Sequence, residues 1–223
     1  MYIYKSRVEA LFNQMLQSGG TAVINLDAPY SNKLINILKK RKCRIITYGV
    51  HNLSEIKLIS QKPSKKGQSL TIEFHGIKTE HYLPIIGKFQ AHNLMCAMGI
   101  ILASDCILDF NNLPVEKLVN PAGRMENIFK NVFIDYAHTP DALEKALRSL
   151  KWHFPEQKIA VVFGCGGNRD KTKRSIMGHI AEKNADFVII TDDNPRYEDP
   201  KQIRSDIIEG CAVTNKNIFE IPD

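Results

Sequence analysis

Apolar positions recur at helical spacing from the start of the chain, at Val8, Leu11, Phe12, Met15 and Leu16, and Ser18-Gly19-Gly20 ends the pattern. A helix is therefore expected first. Thr21 to Leu26 reads as a buried strand, Tyr30 to Lys40 as a helix with Leu34, Ile37 and Leu38 inward, and Arg44 to Tyr48 as a second strand, which together make a βαβ unit. Three short apolar runs follow, Ile56 to Ile59, Leu70 to Phe74 and His81 to Ile85, with turn residues at 63–67 and at His75-Gly76 between them. They predict an antiparallel patch on an α/β body. Gly87 precedes a long apolar helix from about Ala91 to Ala103, and Leu113-Pro114 starts a shorter one.

After Asn120-Pro121 the rhythm becomes regular, and a domain boundary is expected near Pro121 to Gly123. Strands Val132 to Asp135, Lys158 to Phe163, Asp186 to Thr191 and Asn217 to Ile221 alternate with helices Pro140 to Leu150, Lys171 to Glu182 and Pro200 to Glu209. Val, Ile and Phe-rich strands alternating with helices predict a mostly parallel sheet with right-handed crossovers. The fold class is α/β throughout.

Composition narrows the function classes. With 43% hydrophobic residues over 223 positions the chain can bury a real core, and no apolar run approaches the roughly 20 residues of a membrane-spanning helix. Thirty Lys and Arg against 24 Asp and Glu give a net charge of +6, which suits nucleic acid or an enzyme of polyanions such as nucleotides. The basic run Lys39-Lys40-Arg41-Lys42 sits where a helix C-terminus favours cations, so no nucleic-acid partner is expected. Cys43, Cys96, Cys106, Cys165 and Cys211 show no CxxC or Cys/His spacing, which argues against a disulfide framework or a zinc site. A cytoplasmic protein without signal peptide or membrane insertion is the expectation.

Ligands of open α/β sheets lie beyond the carboxyl ends of the strands. At the first such end, Asp135-Tyr136-Ala137-His138-Thr139-Pro140-Asp141, Thr139 fits an N-cap and Pro140 the first helical position, which leaves Asp135 and His138 unaccounted for. The carboxylate could accept ribose hydroxyls and the imidazole could stack on or bond a nucleotide, or the pair could merely stabilise a turn. At the second end, Gly164-Cys165-Gly166-Gly167-Asn168-Arg169-Asp170-Lys171, three glycines permit close backbone approach to a ligand, though neither a Walker nor a Rossmann fingerprint is present. Lys171, Lys173 and Arg174 crowd a helix N-terminus that disfavours cations, which a bound anion would relieve; a plain turn with a solvated basic face is the alternative. At the third, Thr191-Asp192-Asp193-Asn194-Pro195-Arg196, no metal spacing accompanies the two acids. Arg196 and Asn194 on a Pro-stiffened loop could hold a zwitterionic, amino-acid-like ligand, or form a structural turn.

These segments, together with Gly123-Arg124-Met125-Glu126, occur in the order and spacing of the Mur ligases, and the chain is most similar to the branch that adds meso-diaminopimelate. The resemblance extends upstream through Val23-Ile24-Asn25-Leu26-Asp27 and Gly87-Lys88-Phe89-Gln90-Ala91-His92-Asn93. It implies an ATP- and Mg²⁺-dependent ligase of peptidoglycan synthesis, acting as a monomer on UDP-MurNAc-L-Ala-D-Glu and meso-diaminopimelate through an acyl phosphate. By the same resemblance Asn93, Arg124, Asp135 and His138 match nucleotide-binding positions, and Arg169, Asp193, Asn194, Pro195 and Arg196 match positions that hold diaminopimelate. Residues 1–121 would be the later part of a central mononucleotide-binding domain, and 122–223 an incomplete Rossmann-like, amino-acid-binding domain.

The departures carry expectations of their own. No Gly-Lys-Thr phosphate loop occurs in these residues, and the chain stops at Ile221-Pro222-Asp223, before a loop that completes the amino-acid site in the family. Arg7 and Val8, with Lys5 nearby, stand where the family carries a carbamylated lysine that helps hold Mg²⁺, and Gln90 stands where many members have Asn. An inactive segment of a ligase is the expectation. A non-catalytic, truncated paralogue that binds ligand is the alternative.

Overall fold

A computed structural model describes residues 10–104, 109, 112–212 and 217–222. The chain divides into two compact units, one of Met1–Ile85 with Phe89–Val119, the other of Ile86–Lys88 with Asn120–Asp223. Arg7, Val8, Lys5 and Cys106 lie outside the described residues.

The first unit is built on a five-stranded sheet in the order β1 (Thr21–Asn25), β2 (Arg44–Gly49), β3 (Ile56–Ser64), β4 (Gly67–Phe74) and β5 (Ile77–Leu83). β1, β2 and β3 pair in parallel, whereas β3, β4 and β5 form an antiparallel meander. Alternation along β1 sends Ala22 and Ile24 to one face, where Leu34 and Leu38 of α1 (Ser31–Lys40) cover them. Val23 turns to the other face and packs with Ala91, Leu94, Met95 and Met98 of α2 (Gln90–Ala103) over Ile46, Ile56 and Ile72. Helix and sheet approach closely at Gly99, where a Cβ would lie 2.6 Å from Val23 Cγ1.

Pro63, which the sequence places in a turn, belongs to β3, because the hairpin tightens to Ser64↔Gly67 around Lys65-Lys66. β2 pairs with β3 only at Ile56 and Lys57, so a residue without an N–H is tolerated further along. The expected opening helix is, in its described part, a single wide turn at Leu11–Met15, and Leu113-Pro114 leads only into a 3₁₀ turn, Val115–Lys117. The backbone is extended again at Leu118, and Pro121 disfavours helical geometry at Asn120.

In the second unit β8 (Ala160–Phe163), β9 (Phe187–Ile190) and β10 (Ile218–Glu220) form a parallel sheet in the order β10-β9-β8. Helices α3 (Pro140–His153), α4 (Lys173–Asn184) and α5 (Pro200–Ile208) supply Leu143, Leu147, Met177, Ala181, Ile203 and Ile207 to the core around Val188 and Ile190. The 86–88 segment is anchored here: the Gly87 N–H donates to His153 Nε2 (3.0 Å) and the Lys88 N–H to Ser149 Oγ (3.2 Å). The expected strand at Val132 is β7 (Val132–Ile134), but it pairs antiparallel with β6 (Glu126–Phe129), a strand absent from the sequence reading. Lys130, at φ +39°, and Asn131 close this hairpin; among the described residues β7 joins no strand of the parallel sheet.

Candidate functional site

The loops that leave β7, β8 and β9 converge in the second unit on a cleft of about 680 Å³. The loop before α3 contributes Tyr136, His138 and Thr139, the glycine loop contributes Gly166, Arg169 and Asp170, and the loop after β9 contributes Asp193, Asn194 and Arg196. Lys173, at the start of α4, completes the wall and donates to the His138 carbonyl (2.7 Å).

Thr139 caps α3 as its position implies, its Oγ1 accepting the Ala142 N–H, with Pro140 and Asp141 in the first turn. Asp135 is partly committed: its Oδ2 accepts the N–H of Met125 (2.9 Å), a residue at φ +51° and fully buried. Glu126 in turn accepts the Gly123 N–H (2.7 Å), so two carboxylates pin the Gly123–Met125 turn. That turn carries Arg124 to 4.8 Å from the Tyr136 ring, which itself meets the His138 ring edge-on at 5.1 Å. Arg124, Asp135 and His138 are thus brought together, with Tyr136 between guanidinium and imidazole. Tyr136 carries no assignment in the sequence reading; the i, i+2 spacing to His138 just beyond a strand was the signal for it. Asn93 sits in the first turn of α2 in the other unit, exposed, its Nδ2 donating to Gln90 Oε1 (2.8 Å).

Gly166 lines the cleft, and the other two glycines of the loop are required by packing. A Cβ on Gly164 would lie 2.5 Å from the Thr191 carbonyl oxygen, and one on Gly167 1.8 Å from that of Pro195. β8 and β9 are parallel neighbours, so the loops after them stack backbone on backbone, and only glycine leaves the room. The Gly167 N–H donates to the Asn194 carbonyl (3.1 Å), and Arg196 returns a bond from Nη1 to the Gly167 carbonyl. Asn194 and Arg196 both have positive φ, at +43° and +54°, on either side of Pro195, so the loop is held in a strained shape that the stacking compensates.

The basic residues at the start of α4 have partners within the chain. Arg174 is fully buried and binds Glu198 and Asp206, Lys171 reaches Glu198 at 3.0 Å, and Lys173 bonds a carbonyl. Asp170 accepts both the hydroxyl and the N–H of Thr172, which hold its carboxyl below the usual range. α4 begins at Lys173 rather than Lys171 because Asp170 to Thr172 are occupied by that turn. Asp192 pairs with the buried Arg204, a structural use. Arg169, exposed and without a hydrogen bond or ion pair among the described residues, lines the cleft beside Arg196, whose Nη2 and Nε make no bond among the described residues. Cations at Arg169, Arg196 and Lys173 with carboxylates at Asp193 and Asp170 make a mixed surface suited to a zwitterion rather than to a polyanion.

Comparison with known proteins gives this arrangement its relatives. The Mur ligase middle domain matches residues 2–101, and the domain described as "Mur ligase, glutamate ligase domain" matches residues 123–223. The chain belongs to the Mur ligase family. A UDP-N-acetylmuramoyl-L-alanyl-D-glutamate–2,6-diaminopimelate ligase of Anaplasma marginale is 42% identical over 221 residues, 99% of this chain and 45% of the relative. A solved structure of an enzyme bearing the same name is 34% identical, with a TM-score of 0.60 over 100% of this chain and 46% of the other. Folylpolyglutamate synthase of Mycobacterium tuberculosis, solved with ADP and AMPPCP, shares the fold at 22% identity, with a TM-score of 0.72 over 91% of this chain and 45% of the other. The chain spans about half the length of the Mur ligases it matches.

Proposed function

We propose that this chain forms part of an ATP-dependent ligase that joins meso-2,6-diaminopimelate to UDP-N-acetylmuramoyl-L-alanyl-D-glutamate in peptidoglycan synthesis, in the cytoplasm. The observation that carries the reading is the cleft in which Arg169 and Arg196 stand beside Asn194 and Asp193. meso-Diaminopimelate has an ammonium and a carboxylate at each end. A forked guanidinium suits the distal carboxylate, Asp193 suits the neighbouring ammonium, and Asn194 can serve either. Lysine has no distal carboxylate and would set its ammonium against two guanidinium groups, so the same cleft disfavours it.

In this reading Asn93, Arg124, Asp135 and His138 handle the nucleotide. The Oδ1 atom of Asp135, which takes no hydrogen bond among the described residues, offers an acceptor for ribose hydroxyls, and the Arg124–Tyr136–His138 row offers flat cationic and aromatic surface. The nucleotide's γ-phosphoryl group passes to the D-glutamyl carboxylate with release of ADP. The amine of diaminopimelate then attacks the acyl phosphate, forming the amide and releasing phosphate. This chain's residues hold and orient the incoming amino acid. Among the described residues no three His, Cys, Asp or Glu side chains gather as a metal site, so no step is assigned to Mg²⁺.

The 223 residues contain no Gly-Lys-Thr loop, and we infer that alone they do not turn over ATP. The test is titration of the purified chain with meso-diaminopimelate, read by backbone amide NMR, beside an assay of ADP release with the UDP-dipeptide. Shifts confined to 164–169 and 193–198 without ADP release are expected. Absence of shifts at millimolar ligand sinks the amino-acid reading, and substrate-dependent ADP release sinks the inference of inactivity.

A further inference from the structure

We propose that Glu198 is a positioning residue that fixes the spacing of Arg169 and Arg196, and so sets the selectivity of the cleft without touching the ligand. The proposal rests on the reading of the cleft as an amino-acid site.

Glu198 lies just past the Asn194-Pro195-Arg196 loop and is absent from the cleft wall. Its Oε1 accepts the Asn168 N–H, which belongs to the glycine loop immediately before Arg169. Asn168 answers with its own side chain, whose Oδ1 accepts the Tyr197 N–H (3.1 Å). The two loops therefore hold each other by reciprocal bonds at 168 and 197–198, in addition to the Gly167–Asn194 and Gly167–Arg196 bonds. Asn168 needs φ +51° to make this contact, a conformation in which Asn is favoured over most residues.

The latch is anchored from beneath. Both Nη atoms of Arg174 reach the Glu198 carboxylate at 3.1 Å, and Nη1 also meets Asp206 at 2.8 Å. Arg174 is wholly buried on α4, and its Nε is a buried donor without a partner among the described residues, so its planar fork is aimed at the two carboxylates rather than satisfied all round. Lys171 closes over Glu198 from the solvent side at 3.0 Å. Glu198 thus receives four donor atoms from three segments, the N–H of the glycine loop's Asn168, the ammonium of the turn's Lys171 and both Nη atoms of the helix's Arg174. A carboxylate so occupied has little capacity left for a ligand, but it decides where residues 168 and 197 sit, and with them the neighbouring guanidinium groups at 169 and 196.

The test uses the ¹⁵N-labelled 223-residue chain, wild type, Glu198→Gln and Glu198→Asp, with amide hydrogen exchange in the absence of ligand and meso-diaminopimelate and lysine as probes. Glu198→Gln should speed exchange at Asn168 and Tyr197 by about tenfold or more, leave the amides of β9 and α3 unchanged, and weaken meso-diaminopimelate by about tenfold with little effect on lysine. Glu198→Asp, which keeps the charge, should recover part of both effects. Unchanged exchange at Asn168 and Tyr197, or acceleration throughout the second unit, overturns the proposal; so does altered exchange with unchanged discrimination between the two probes. Should wild type bind neither probe while Glu198→Gln still loosens Asn168 and Tyr197 alone, the selectivity claim falls with the amino-acid reading. The exchange result then supports only the latch.

Discussion

The backbone of Gly167 lies so close to Pro195 that a Cβ there would sit 1.8 Å from the Pro195 carbonyl oxygen. The atom in the way belongs to backbone, which cannot swing aside like a side chain. Gly167→Ala should therefore push the two loops apart and lower the stability of the second unit by about 1 to 3 kcal/mol, the usual range for overpacking. Denaturant unfolding followed through Trp152, the chain's single tryptophan, gives the measurement. An unchanged midpoint would mean that the stacking is loose.

Arg196 both supports the loop, through its bond to the Gly167 carbonyl, and faces the cleft. A charge-assisted hydrogen bond contributes about 1.5 to 3 kcal/mol, so Arg196→Ala should weaken meso-diaminopimelate by roughly one to two orders of magnitude. Lysine should lose far less, or gain. Equal losses for the two amino acids, in binding to this chain or in kinetics of a longer ligase that contains it, would assign Arg196 to loop support alone.

The Glu198 carboxyl is held down to about 2 from an ordinary 4.5, first by Lys171 and the Asn168 N–H and then by Arg174, against a burial effect that raises it. A depressed carboxylate stabilises fully above its unfolded value, and its contribution disappears as pH falls from about 4.5 toward about 2. Wild type should accordingly be more stable than Glu198→Gln at pH 7, and the difference should shrink through that acid window. A gap that stays constant with pH would contradict the assignment of charge to the latch.

In the first unit Asp27 accepts the N–H groups of Val50 (2.9 Å) and His51 (3.1 Å) and meets His92 Nε2 at 2.9 Å. Burial raises its pKa, but the Val50 bond, His92 and the His51 bond together bring it below the ordinary value. The stabilisation is present above the usual carboxylate range and is lost as pH falls through the folded value. Val50 and His51 amides should exchange slowly near neutrality and faster, relative to other β2 neighbours, in acid. Asp27→Asn should abolish that acid dependence; if the dependence survives, another group carries it.

Much of the architecture was legible because it is local. The two-faced β1, the α1 and α2 stripes and the Thr139-Pro140 start of α3 follow from side-chain periodicity and capping, which neighbouring residues decide. The loops that line the cleft were legible for the same reason, since each lies at the end of a recognisable strand. What the sequence could not show is which groups those loops spend on each other. The glycines at 164 and 167 answer to carbonyls at 191 and 195, Glu198 answers to Asn168 and Arg174, and Asp27 answers to His92.

The β6–β7 hairpin marks the same limit from the other side. Val132 to Ile134 has a strand's composition, but composition does not name a partner, and the pairing with Glu126 to Phe129 depends on the turn at Lys130. The sequence by itself determined the α/β class, the order of the main strands and helices apart from β6, and the residues at the strand ends. Only the tertiary structure decided which polar groups there remain for a ligand, because a hydrogen bond between residues 24 to 65 positions apart has no signature in local pattern, while every buried carboxylate or guanidinium must find such a partner.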